Sequence, residues 1–136
     1  MFETFEHTAD LGLRVRAADR TQLFAEAARA LFSVMVANPE SIARTVQRTY
    51  RIPGQDDEYL LLDWLNELLY TFETERLLLG EFAIAWDQEG LNSTCWGEPF
   101  DRTRHELLHE VKAITYHRLL VQQRHDGWLA EWVVDI

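Results

Sequence analysis

The sequence predicts an α+β fold, a single domain spanning residues 1–136 with two main helices packed on mainly antiparallel sheet. Three observations predict it. Two segments repeat their apolar residues at the helical period, several others alternate at the period of a strand, and short turn signals join the alternating segments. The 136 residues are 47% apolar, enough to bury a sizeable core without a metal or disulfide to hold it together.

The first strand is expected where Leu11, Leu13, Val15 and Ala17 alternate with Gly12, Arg14 and Arg16. Asp19, followed three residues on by Gln22, has the spacing of a capping box. The helix it opens places Leu23, Phe24, Ala27, Leu31 and Met35 on one stripe and stops at Asn38–Pro39. A second strand is expected from about residue 45 to 52, turned by Pro53–Gly54.

Asp56, Asp57 and Glu58 suit the positive end of a second helix. Its stripe, Leu61, Leu62, Leu65, Leu68, Leu69 and Phe72, is the strongest in the chain and marks the core helix. Beyond Gly80, Phe82, Ile84 and Trp86 alternate, Asp87–Gly90 turns, and residues 91–98 return as a hairpin. Residues 99–108 read as a polar loop. A long strand follows from Val111 to about Arg124, Asp126–Gly127 offers a type I′ turn, and residues 128–136 form the last strand. In that strand Leu129, Glu131, Val133 and Asp135 share one face, and Trp128, Ala130, Trp132 and Val134 the other.

Charge narrows the function. The net charge is -10 and the pI about 4.8, so phosphate backbones and anionic lipid should be repelled and direct nucleic-acid binding is not expected. The excess is local: residues 53–110 hold fourteen acids against three arginines. This is either a solvated face or a docking surface for a basic partner. Lys112 is the only lysine among thirteen Lys and Arg residues, and a compact ammonium does what a planar guanidinium cannot. The N-terminus is acidic where a signal peptide is basic, the single Cys95 allows no internal disulfide, and no apolar run approaches membrane-spanning length, so a cytoplasmic protein is expected.

Candidate chemistry is sparse. Asp10 opens a strand, and Asp135 ends one on a face whose neighbours Leu129 and Val133 are apolar, where a carboxylate needs a cation or a donor. With the carboxylate of Ile136 these could form an all-oxygen set for calcium, magnesium or manganese, and a poor one for zinc. His7 could pair with Asp10 as acid/base or ligand, or His7–Asp10 could simply be turn hydrogen bonding. The other histidines, His105, His109, His117 and His125, lack paired-ligand spacing and read as surface residues. Cys95 reads as a small buried strand residue. No phosphate-binding loop, dinucleotide fingerprint or nucleophile elbow occurs, which disfavours enzymes of those classes.

Four blocks together resemble the archease family: His7–Gly12, Trp64–Leu69, Lys112–His117 and Val133–Ile136. The resemblance covers essentially the whole chain. It implies a small α+β fold with a strand-helix-strand-strand module and a non-catalytic role as protein cofactor of an RtcB-type RNA ligase, promoting guanylylation and multiple turnover in tRNA splicing or RNA repair. It also implies a divalent metal, calcium or else manganese or magnesium, on Asp10, Asp135 and Ile136. Lys112, Glu67 and His7 fall at positions implied for ligase activation or its interface. The alternatives are a small metal-dependent hydrolase using His7 as base, and a general chaperone or scaffold with a structural metal.

Overall fold

The computed structural model describes residues 1–7 and 10–136, with the side chains of Glu6 and His7 outside the description. In chain order the elements are β1 (Phe2–His7), β2 (Asp10–Ala17), α1 (Arg20–Met35), a 3-10 turn (Pro39–Ser41), β3 (Val46–Pro53), α2 (Asp57–Glu75), β4 (Leu77–Trp86), β5 (Gly90–Pro99), β6 (Ala113–Arg124) and β7 (Gly127–Asp135). The fold class is the expected one, two helices on antiparallel sheet. The strands divide into two sheets, ordered β1-β2-β7-β6 and β3-β5-β4.

That division explains α1. Asp19 accepts the Gln22 N–H at 2.8 Å and starts the helix as its spacing predicts. Yet Ala25, Ala28, Ala30, Phe32 and Val34 are buried as well as the expected stripe. The helix packs on β4 on one side and on β2 and β7 on the other, so it is apolar nearly all round. One hydrophobic core runs through both sheets and both helices. α2 begins as expected, with Asp56 accepting from the N–H groups of Glu58 and Tyr59, and lies against β6, an edge strand of the larger sheet. Glu58 reaches that edge and accepts the Val121 N–H at 3.3 Å.

Three features depart from the sequence reading. First, residues 2–7 form β1, an edge strand whose Phe2 and Phe5 do not alternate cleanly with polar residues. The ring of Phe5 lies over Gly12, where an added Cβ would sit 2.1 Å from it. Gly12 is therefore demanded by close approach and not merely tolerated on the polar face. Second, the last hairpin pairs Arg124 with Gly127, so its two loop residues are His125 and Asp126. Neither has positive φ, and the value of +135° falls on Gly127, so the expected type I′ turn at Asp126–Gly127 is not formed.

Third, His105 is buried, not a surface residue. Its Nδ1 accepts the Asp101 N–H at 3.0 Å, which leaves Nε2 to carry the proton and donate to Glu98 at 3.0 Å. Arg104 and the Ala43 N–H donate to the same carboxylate. This knot fastens the connection after β5. Farther along, the N–H groups of Leu108 and His109 donate to the carbonyls of Met35 and Val34, satisfying the C-terminal end of α1.

Candidate functional site

β2 begins at Asp10 and β7 ends at Asp135. The antiparallel register sets the two directly opposite each other. Asp10 shares its face with Gly12 and Arg14, and Asp135 shares its face with Val133 and Glu131, the face turned away from α1. Opposed residues on one face have Cβ atoms about 4.5–5.5 Å apart, and like charges so placed repel. Neither carboxylate has an ion-pair partner among the described residues, and both are half-buried. Like charges at directly opposed positions of a sheet are destabilising unless a cation or donor is supplied between them.

The same row extends across the sheet, with His7 opposite Asp10 on β1 and Ala113 opposite Asp135 on β6. The side chain of His7 and the turn hydrogen bonding expected over Thr8 and Ala9 lie outside the described residues. Next to Ala113, the Lys112 N–H donates to the Asp135 carbonyl at 2.7 Å, so the lone lysine is tied through its backbone to the end of β7. Ile136 follows directly, half-buried and packed against the core. Among the described residues no group of three or more His, Cys, Asp or Glu side chains is placed to hold a metal. The donors brought together here are two carboxylates and the main-chain oxygens beside them. This all-oxygen set fits a hard cation and does not fit zinc.

Lys112 also lines a cavity of about 570 Å³ between the ends of α1 and α2 and residues 107–112. Glu67 does not line this cavity. Glu73 and Arg76 line the cavity, over an apolar floor of Met35, Phe72 and Val111. Glu67 is exposed on the outer face of α2, and its carbonyl accepts the Thr71 hydroxyl. Arg76 closes α2 in the left-handed region, with φ +53°, an uncommon conformation for a residue with a side chain. Its guanidinium lies over the rings of Phe72 and Phe100. Sequence reasoning missed both residues, because Glu73 reads as a border residue of the stripe and Arg76 falls beyond it.

Glu98 and Cys95 serve the fold. Hydrogen bonds from Arg104 first, then from the Ala43 N–H and His105, hold Glu98 down to about 2 against the opposing effect of burial. Burial pushes the Cys95 thiol up to about 11, so this side chain is an inert core residue, as its strand position predicts. No helix among the described residues is long and apolar enough to cross a membrane.

The chain matches the Archease protein family (MTH1598/TM1083) over residues 2–136. It is 39% identical to the protein archease of Pyrococcus furiosus, covering 99% of this chain and 98% of that one. To the protein archease of Sulfurisphaera tokodaii it is 36% identical, again over 99% and 98% of the two chains. The solution structure of Methanobacterium thermoautotrophicum protein 1598 superposes with a TM-score of 0.87 at 33% identity, over 99% of this chain and 98% of that one. A crystal structure described as an archease, possible chaperone, from Thermotoga maritima shares the fold, with a TM-score of 0.71 at 21% identity over 98% and 96% of the chains.

Proposed function

The chain belongs to the archease family, and we propose on that basis that it is a non-catalytic activator of an RtcB-type RNA ligase, promoting ligase guanylylation and repeated turnover in tRNA splicing or RNA repair. The structural observation that supports its cation-binding part is the register of β2 on β7, which sets Asp10 against Asp135 with no counter-ion among the described residues. Asp10, Asp135 and a main-chain oxygen of Ile136 would hold a divalent cation, calcium before manganese or magnesium. When bound, the cation neutralises the opposed carboxylates and fixes the sheet end to which Lys112 is tied.

Lys112 then presents an ammonium beside that end, on a backbone anchored to Asp135. Glu67, exposed on α2, is assigned to the ligase interface, and His7 to the border of the cation site through its pairing with Asp10. The acidic surface suits a protein partner that must itself be basic to hold RNA, and argues against direct nucleic-acid binding. The order β3, α2, β4, β5 supports the strand-helix-strand-strand module. We read residues 1–136 as one cytoplasmic domain.

A general chaperone with a structural metal is the second reading, favoured by the description of the Thermotoga maritima protein as a possible chaperone. The two are separated by adding substoichiometric protein to a purified RtcB-type ligase with GTP, manganese and RNA ending in 2′,3′-cyclic phosphate. An activator gives many ligations per ligase molecule and does nothing alone. Equal product with and without it would contradict the activator reading, and RNA turnover by the isolated protein would favour a hydrolase.

A further inference from the structure

α2 carries six acids and no basic residue. Three of the acids are engaged: Asp57 with Arg20, Glu75 with Arg48, and Glu58 with the Val121 N–H. Asp63, Glu67 and Glu73 have no ion-pair partner among the described residues. At about 100° per residue, Tyr59, Asp63, Glu67, Tyr70 and Glu73 fall within one arc of roughly 120°. This is the exposed side of the helix, opposite the buried Leu61, Leu65, Leu68 and Phe72. The aromatic members are open to solvent, Tyr59 at 54% and Tyr70 at 62%.

A third exposed tyrosine joins them from another element. Tyr116 of β6, itself 53% exposed, packs on Tyr59 with ring centroids 5.5 Å apart. It lies where the register between β6 and β7 breaks, between Thr115 and Leu120. The surface therefore interleaves large aromatic rings with unpaired carboxylates along about 21 Å of helix. Isolated exposed apolar residues are ordinary, but aromatic residues aligned along one helix face and continued by a neighbouring strand form a contact surface.

Resting on the proposed function, we infer that this tyrosine–carboxylate face of α2, extended by Tyr116, is where an arginine-bearing segment of the ligase docks. Guanidinium is the group that fits both components at once, since it stacks flat on a phenol ring and pairs with a carboxylate through parallel N–H donors. Lysine matches only the charge. Nucleic acid does not fit, because its phosphates would meet unpaired carboxylates, and a second copy of this chain would set like-charged faces together.

The test measures binding of the full chain to a purified RtcB-type ligase on a biosensor at low and physiological salt, with ligase turnover as a second readout. The variants are Tyr70→Ala and the double reversal Asp63→Arg with Glu67→Arg, each checked by thermal melting. All three sites are exposed, so the variants should stay folded. The double reversal should weaken binding at low salt by about tenfold or more and flatten its salt dependence. Tyr70→Ala should weaken it by about two- to fivefold. If wild type binds and stimulates while both variants do so equally, the docking face is overturned and the activator reading stands. If wild type neither binds nor stimulates, both fall. Self-association of the wild type that Tyr70→Ala removes would overturn the proposal in favour of a second copy.

Discussion

Asp10 and Asp135 are set together by strand register and not by a compact motif, and this makes their chemistry testable in both directions. Replacing either with Asn removes a like-charge repulsion across the strands. Without divalent cation, Asp10→Asn and Asp135→Asn should melt at or slightly above the wild type, by roughly 0.2–1 kcal/mol. With calcium or manganese the order should invert, because only the wild type gains from binding. Thermal melts with chelator and with cation measure both arms, and wild-type melting unmoved by either cation would contradict a metal role.

Lys112 is the residue where charge and shape can be separated. Lys112→Ala should leave the melt nearly unchanged, since the side chain is exposed, and abolish ligase stimulation. Lys112→Arg should also fail if a compact ammonium is required. Recovery with Arg would show that charge alone suffices.

Glu98 supplies a pH dependence whose sign follows from its environment. Its carboxylate is held at about 2 against an ordinary 4.5. A depressed pKa stabilises the fold above the ordinary value, and that contribution is lost as pH falls from about 4.5 toward 2. It is worth on the order of 3 kcal/mol. Glu98→Gln should therefore lose stability at neutral pH and flatten the acid limb of stability against pH, as read by urea unfolding from pH 6 down to pH 2. An acid limb as steep as that of the wild type would place the responsible carboxylate elsewhere.

At the scale of elements, legibility tracked how completely an element states its own surroundings. The stripe of α2 gave its buried face, and the alternation in β7 gave the row of Ala130, Trp132 and Val134 that faces the core, but not the burial of Leu129 and Val133 on the opposite face. The stripe of α1 understated its burial, since a helix held between two sheets needs small residues such as Ala25, Ala28 and Ala30 on faces that a one-sided helix would give to water. β1 escaped because an edge strand needs few apolar residues, and its reason for being is the pairing of Phe5 with Gly12 across strands. His105 was misread because spacing along the chain says nothing of the carboxylate that Glu98 brings to it.

The β1–β2 contact can be tested directly. Gly12→Ala should cost about 1–3 kcal/mol by driving Cβ into the Phe5 ring. Adding Phe5→Ala should recover part of that loss in denaturant unfolding. Additive losses in the double variant would show that the ring is not what excludes a side chain at position 12.

Across the whole molecule, the candidate site lies at the end of the larger sheet, where β2 begins, β7 ends and β6 is entered through Lys112. Sequence reasoning named Asp10, Asp135 and Lys112 from oxygen-ligand chemistry, from the rarity of lysine and from the family resemblance. It could not show that Asp10 and Asp135 are direct register partners, because that requires the order β1-β2-β7-β6, which joins the second strand to the last. Nor could it find the cavity linking Lys112 to Glu73 and Arg76, since three separate segments form its walls.

The most direct measurement is the number of ligations completed per ligase molecule with substoichiometric wild-type protein and with Asp135→Asn in parallel. Many rounds are expected with wild type, and about a single round with a variant that remains folded by its melt. Equal stimulation by the two would contradict the claim that the opposed carboxylates at the end of the sheet are what the ligase requires.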